Sequence, residues 1–243
     1  MRRGDWHLRA IVVNQHFADQ SSHKSRISTS TNTLPTQSNE NKTLTMVVFP
    51  SQVIPALSLP SVNGDLFSLK NSNPDLFTIV VFYRGAHCPI CKTHIHEIEE
   101  NKEKLRAAGL KIVAVSMDTK ERAETFAKEV AASMGKDSLE TPILYGLTEE
   151  QARNDWGLYI SEARPGTNEP AIYSEPGLFV IRPDDTVFMA QVQSAPFTRP
   201  SVDQLIGGLL YAAEHKYPTR GTYVTKKPSH DAATPAPASA KTQ

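Results

Sequence analysis

The two cysteines of this chain, Cys88 and Cys91, sit three apart where an apolar, β-branched run gives way to a helical pattern. That junction constrains the fold more than any other stretch. The run Phe77–Tyr83 reads as a strand buried on both faces. Pro89 suits the first turn of a helix, where its missing N–H is not needed. The junction therefore predicts strand, tight turn and helix, with Cys88 at the helix start and Cys91 one turn further on the same side. Residues so placed can be bridged without moving the backbone.

A cysteine at a helix start is a chemical statement. Free N–H groups and the positive end of the helix dipole favour an anion there, and lower a thiol pKa from ~8.5 towards neutrality or below. Cys88 is thus the candidate nucleophile, able to attack a disulfide or a peroxide. Cys91 can then attack the mixed disulfide or sulfenic acid that results. Arg84, four residues before Cys88, is a permanent cation able to steady the thiolate. His87 is adjacent and could do the same when protonated, or shuttle a proton. Two alternatives stay open. Cys88, Cys91, His94 and His96 supply four zinc-type ligands within nine residues. The cysteines could also be inert core thiols. No second Cys-x-x-Cys exists to complete a zinc site, and on a helix His96 points away from the cysteine face. No metal or other cofactor is expected.

The remainder of the 243 residues arranges itself around this junction. Residues 1–45, rich in Ser, Thr, Asn and Gln after Gln20, are expected to form a disordered extension. Arg2, Arg3 and Arg9 in an acid-poor segment also fit a transit peptide. Residues 46–222 form one domain, and 223–243 a disordered Pro/Ala-rich tail. Asn63-Gly64 between short alternating segments predicts a hairpin. One helix is expected from Cys88 or Pro89 to Ala108, stopped by Gly109. Lys111–Met117 reads as a strand, and Asp118 as the cap of a helix with Ala123, Phe126, Ala127, Val130 and Met134 inside. Thr148-x-x-Gln151 caps a brief helix. Leu158–Glu175 reads as a long loop of the functional kind. Leu178–Ile181 and Thr186–Gln193 form a second hairpin, and Ser201-x-x-Gln204 caps the last helix. Strands alternating with helices imply an α/β fold, a mixed central sheet with helices on both faces. The zero formal net charge argues against nucleic acid as a partner. No apolar run approaches the ~20 residues that span a bilayer, which argues against a membrane.

Phe82-Tyr-Arg-Gly-Ala-His-Cys-Pro-Ile-Cys91 resembles the active-site stretch of thioredoxin-fold redoxins in the alkyl hydroperoxide reductase/thiol-specific antioxidant, or peroxiredoxin-like, superfamily. The resemblance continues through Val113–Asp118, Tyr145-Gly-Leu147, Glu175–Ile181, Ser194–Pro200 and Tyr217–Gly221. It implies a thioredoxin-like three-layer fold and thiol redox chemistry. It also implies a cis-proline facing the cysteines, for which Pro176 is the matching position. A cis bond there would expose the preceding backbone to an extended substrate.

The chain departs from that pattern. Val81 and Gly85 stand where a peroxiredoxin carries the proline and threonine before its reactive cysteine, and Pro176 where it carries an arginine. Arg84 and Arg199 are the cations available to substitute. The expectation is a thiol–disulfide oxidoreductase using Cys88 and Cys91, with a thioredoxin- or glutathione-dependent thiol peroxidase as the close alternative, and a non-catalytic redox sensor as the third. The partners implied are a disulfide or hydroperoxide substrate and thioredoxin or glutathione as electron donor. A monomer or homodimer is expected, cytoplasmic, or mitochondrial if residues 1–45 are a transit peptide.

Overall fold

The computed structural model describes residues 48–223. The extension over 1–45 and, Tyr223 apart, the tail over 223–243 lie outside them. The first hairpin forms as its turn residues predict. β1 (Ser58–Pro60) and β2 (Leu66–Ser68) pair antiparallel, with Ser61 N–H donating to Asp65 O across the turn.

β3 (Phe77–Phe82) is buried at every position. It leads into α1 (Pro89–Glu100), α2 (Lys102–Ala107) and β4 (Leu110–Val115). α3 (Lys120–Ser133) returns the chain to β5 (Ile143–Leu144). β6 (Ile160–Glu162) and β7 (Ile172–Ser174) form an antiparallel hairpin of their own. β8 (Gly177–Ile181), β9 (Val187–Val192) and α4 (Val202–Glu214) complete the domain. The main sheet runs β5-β4-β3-β8-β9. β3, β4 and β5 are parallel, and β8 and β9 are antiparallel to their neighbours.

The alternation of β3 divides the core. Phe77, Ile79, Val81 and Tyr83 face the helices, against Cys91, Ile95, Phe126, Val130, Leu205 and Leu209. Val80 and Phe82 face the other way, against Leu57, Leu144, Trp156 and Phe179. This is the mixed α/β architecture expected. The two covers differ, however. All four α-helices lie on one face. The other is covered by the β1–β2 region and by short helical turns at Leu69–Asn71 and Gln151–Asp155.

Three local expectations change. The helix expected through Ala108 breaks at Asn101 (φ −98°, ψ 9°), whose side chain donates to Glu97 O at 2.8 Å. Asparagine competes for backbone partners and so interrupts a helix that apolar spacing alone would continue. Asp118 does not cap α3. Thr119 does, accepting from Arg122 N–H. Leu158–Glu175 is not an irregular loop, since it holds β6 and β7. At three residues each these strands are too short to show an apolar alternation, and ion pairs from Glu169 and Glu175 to Arg84 help hold the segment.

Candidate active site

β3 delivers the chain to a tight loop, Arg84–His87, and α1 begins immediately after it. Gly85 makes the turn possible. Its φ is +125°, and a Cβ there would stand 2.7 Å from both carboxylate oxygens of Asp118. Asp118, buried three residues beyond β4, accepts the Ala86 N–H at 2.8 Å and is paired with Arg122 Nε at 3.0 Å. A threonine at position 85 is therefore excluded by backbone and by space. The carboxylate that fills this space pins the loop to the neighbouring strand. The sequence position of Asp118 alone suggests a helix cap. The contact spans 32 residues and no local pattern carries it.

Cys88 is the N-cap residue of α1. Its Sγ accepts the Cys91 N–H at 3.2 Å and lies 2.6 Å from Cys91 Sγ. Both cysteines are free and buried, Cys88 at 2% exposure and Cys91 at 0%. The hydrogen bond from the Cys91 thiol lowers the Cys88 pKa most. Burial opposes it, and the Cys91 N–H, Arg199 and Arg84 add to the lowering, which brings Cys88 to about 6. Cys91 is pushed up, by burial first and then by the sulfur of Cys88. One proton is shared within the pair, and it stays on Cys91.

The cations divide their work. Arg84 turns away from the sulfurs. Its guanidinium donates to Tyr173 Oη at 2.5 Å and lies 3.6 Å from Glu169 and 3.4 Å from Glu175, two buried carboxylates of the β6–β7 segment. Glu169 is also gripped by Arg164 and is held down to about 2 by that guanidinium and by the Arg164 N–H. The His87 ring packs on Tyr173 with centroids 4.6 Å apart. Burial, then Arg84, lower its pKa, so at neutral pH it is an uncharged imidazole and adds no positive charge to the thiolate. Arg199, from the segment before α4, reaches the pair directly, with Nη2 3.2 Å from Cys91 Sγ.

Pro176 is buried beside the pair's cation and lines a small cavity with His94, Gln193 and Arg199. Its peptide bond is trans, against the cis bond expected. The backbone a cis bond would expose is already used. Glu175 N–H donates to Tyr159 O at 2.7 Å, and Pro176 O accepts from Gln193 N–H at 2.9 Å. His94 is buried on the Cys91 side of α1. Among the described residues no three His, Cys, Asp or Glu side chains gather as metal ligands. Cys88, Cys91 and Arg199 are thus brought into contact, Arg84 is committed to the β6–β7 segment, and His96 pairs with Glu100 on the same helix. No local sequence pattern singles out Glu169, Tyr173 or Glu175. They lie in the stretch read as a loop, and their link to Arg84 crosses about 90 residues.

The comparisons fit this geometry. A model of the AhpC/TSA family matches residues 50–189. A Mycobacterium tuberculosis protein named as a peroxiredoxin is 26% identical over 149 residues, 61% of this chain and 88% of its own. Among solved structures, peroxiredoxin 6 of Arenicola marina superposes with a TM-score of 0.57 at 15% identity, over 67% of this chain and 72% of that one. A yeast mitochondrial 1-Cys peroxiredoxin gives 0.57 at 12%, over 73% and 84%. A peroxidoxin of M. tuberculosis gives 0.51 at 18%, over 68% and 97%. These structures share the fold.

Proposed function

Since the chain belongs to the AhpC/TSA family, we propose that it is a thiol-dependent peroxidase in which Cys88 reduces a hydroperoxide and Cys91 resolves the product. The Cys88 thiolate attacks the terminal peroxide oxygen. The O–O bond breaks, an alcohol or water leaves with a proton, and Cys88 becomes a sulfenic acid. The Cys91 thiol then displaces that oxygen as water and the two sulfurs join. A thiol reductant returns the disulfide to the dithiol. The yeast relative's resolution runs through glutathione and thioredoxin systems, and we assign this chain a reductant of that class.

The observation that carries this reading is the position of Cys88: a sulfur at a helix start, drawn to about 6 and in contact with a protonated partner thiol. Disulfide exchange with a protein substrate, which the sequence placed first, becomes second. The backbone beside Pro176 is occupied by internal hydrogen bonds, and a sulfur 2% exposed admits a peroxide far more readily than a polypeptide. The test is peroxide consumption by the reduced protein. Cys88→Ser should reduce it to background. Cys91→Ser should stop after one equivalent, leaving a sulfenic acid on Cys88 that dimedone labels. A second-order rate no faster than that of free cysteine would overturn the proposal.

A further inference from the structure

Arg199 is half-buried and makes no ion pair with a carboxylate among the described residues. Nη1 donates to Pro196 O at 3.3 Å, Nη2 approaches Cys91 Sγ at 3.2 Å, and Nε is shielded with no partner. The other side chains about it offer no anion. His94 and Gln193 share its small cavity, and His94 is held neutral, down to about 4, by burial and by Arg199 itself. A cation partly withdrawn from water, and left without a counter-anion, carries a cost. In the dithiol, the Cys88 thiolate lies 2.6 Å beyond Cys91 Sγ and offsets that cost. In the disulfide, no such anion remains.

We propose that Arg199 is a catalytic residue of the reductive half-reaction, holding the Cys91 thiolate as the leaving group, so that the incoming thiol bonds to Cys88. The proposal rests on Cys88 and Cys91 forming the working disulfide. The reductant's thiolate donates its electron pair to Cys88 Sγ and a new sulfur–sulfur bond forms. The Cys88–Cys91 bond breaks, and its electron pair departs on Cys91 Sγ, 3.2 Å from the guanidinium. A second reductant thiol then attacks the mixed disulfide and releases Cys88 as the thiolate. The proton it leaves goes to Cys91. Burial raises the Cys91 pKa, which makes it a poor leaving group unless a cation meets it. Arg199 supplies that cation at the one sulfur α1 buries completely.

The experiment uses full-length protein oxidised to the disulfide with diamide, so that no peroxide step is involved. Glutathione is added, the reaction is quenched with iodoacetamide, and the site of each adduct is read by peptide mass spectrometry. The wild type should carry glutathione on Cys88 and alkyl on Cys91. Arg199→Gln should slow disulfide opening by about tenfold to a hundredfold, the scale of a charge-assisted contact. Its adduct should spread to both sulfurs. Arg199→Lys should restore the preference for Cys88 and part of the rate, which a merely structural role would not do. Glutathione chiefly on Cys91, or an Arg199→Gln rate and pattern equal to wild type, would overturn the inference. If the pattern holds while reduced protein fails to consume peroxide, the peroxidase reading fails and this one stands. If diamide yields no Cys88–Cys91 disulfide, both fall.

Discussion

At the scale of single residues, Gly85 is the position where chain geometry and chemistry meet. Its φ of +125° and the Asp118 oxygens at 2.7 Å leave no room for a side chain. Gly85→Ala should cost about 2–4 kcal/mol of stability by denaturant unfolding, from left-handed strain and overpacking together. It should also slow Cys88, because the loop that sets the sulfur is displaced. Cys88 itself carries a pH signature. A thiolate drawn to about 6 should alkylate at half its limiting rate near pH 6, rising with pH until the proton is gone. A midpoint near 8.5 would show an ordinary cysteine. The two sulfurs, Pro89 and the break in pattern after Tyr83 made this centre legible in the sequence. Asp118 and the Arg199–Cys91 contact were not, since they join residues 32 and 108 apart through single contacts that no local pattern carries.

At the scale of elements, the strands and helices that bury a face could be read, and the hairpin held by charge could not. α3 buries Ala123, Phe126, Ala127 and Val130 as its spacing requires. The box of Ser201 and Gln204 opens α4 as written. β6–β7 is too short to show such a face, burying of its apolar residues only Tyr173 and part of Ile160. It is fastened by Glu169 and Glu175 to Arg84, with Ser161 donating to Glu175 at 2.7 Å. Glu169 titrates in the folded chain at about 2, below its ordinary value, so its contribution is complete above about pH 4.5 and is lost as pH falls towards 2. Amide exchange over residues 158–175 should accelerate through that window before the main sheet opens. Glu169→Gln should bring the faster exchange to neutral pH. Equal protection in variant and wild type would mean that the hairpin is held by its backbone pairing alone.

At the scale of the molecule, the sequence reveals a mixed sheet with helices but not how the cover divides. Alternation in β3 predicts two apolar faces, yet nothing local says that one receives four helices and the other a hairpin and short turns. That division follows from the sheet order, which puts the β3–β4 and β4–β5 crossovers on the same side. The helical layer encloses His94, a neutral imidazole at about 4. The unfolded chain binds a proton there near pH 6.5, and the folded chain does not until about 4. Global stability should therefore fall as pH drops from 6.5 to 4, by about 2–3 kcal/mol from this group. His94→Gln should flatten that part of the denaturation midpoint against pH.

The contact between Cys88 and Cys91 inside one helical turn has a consequence for survival under load. A sulfenic acid faces two fates, condensation with a thiol or a second encounter with oxidant that ends in an irreversible sulfinic acid. In the proposed cycle the rescuing sulfur, Cys91, already touches Cys88 and need not be fetched by a moving loop or a second subunit. The competition is between a neighbour 2.6 Å away and a solute that must diffuse in, and it favours the neighbour until oxidant is very concentrated. On the peroxidase reading proposed above, a protein built this way is suited to scavenging through a surge of peroxide. It is ill suited to falling silent when one arrives.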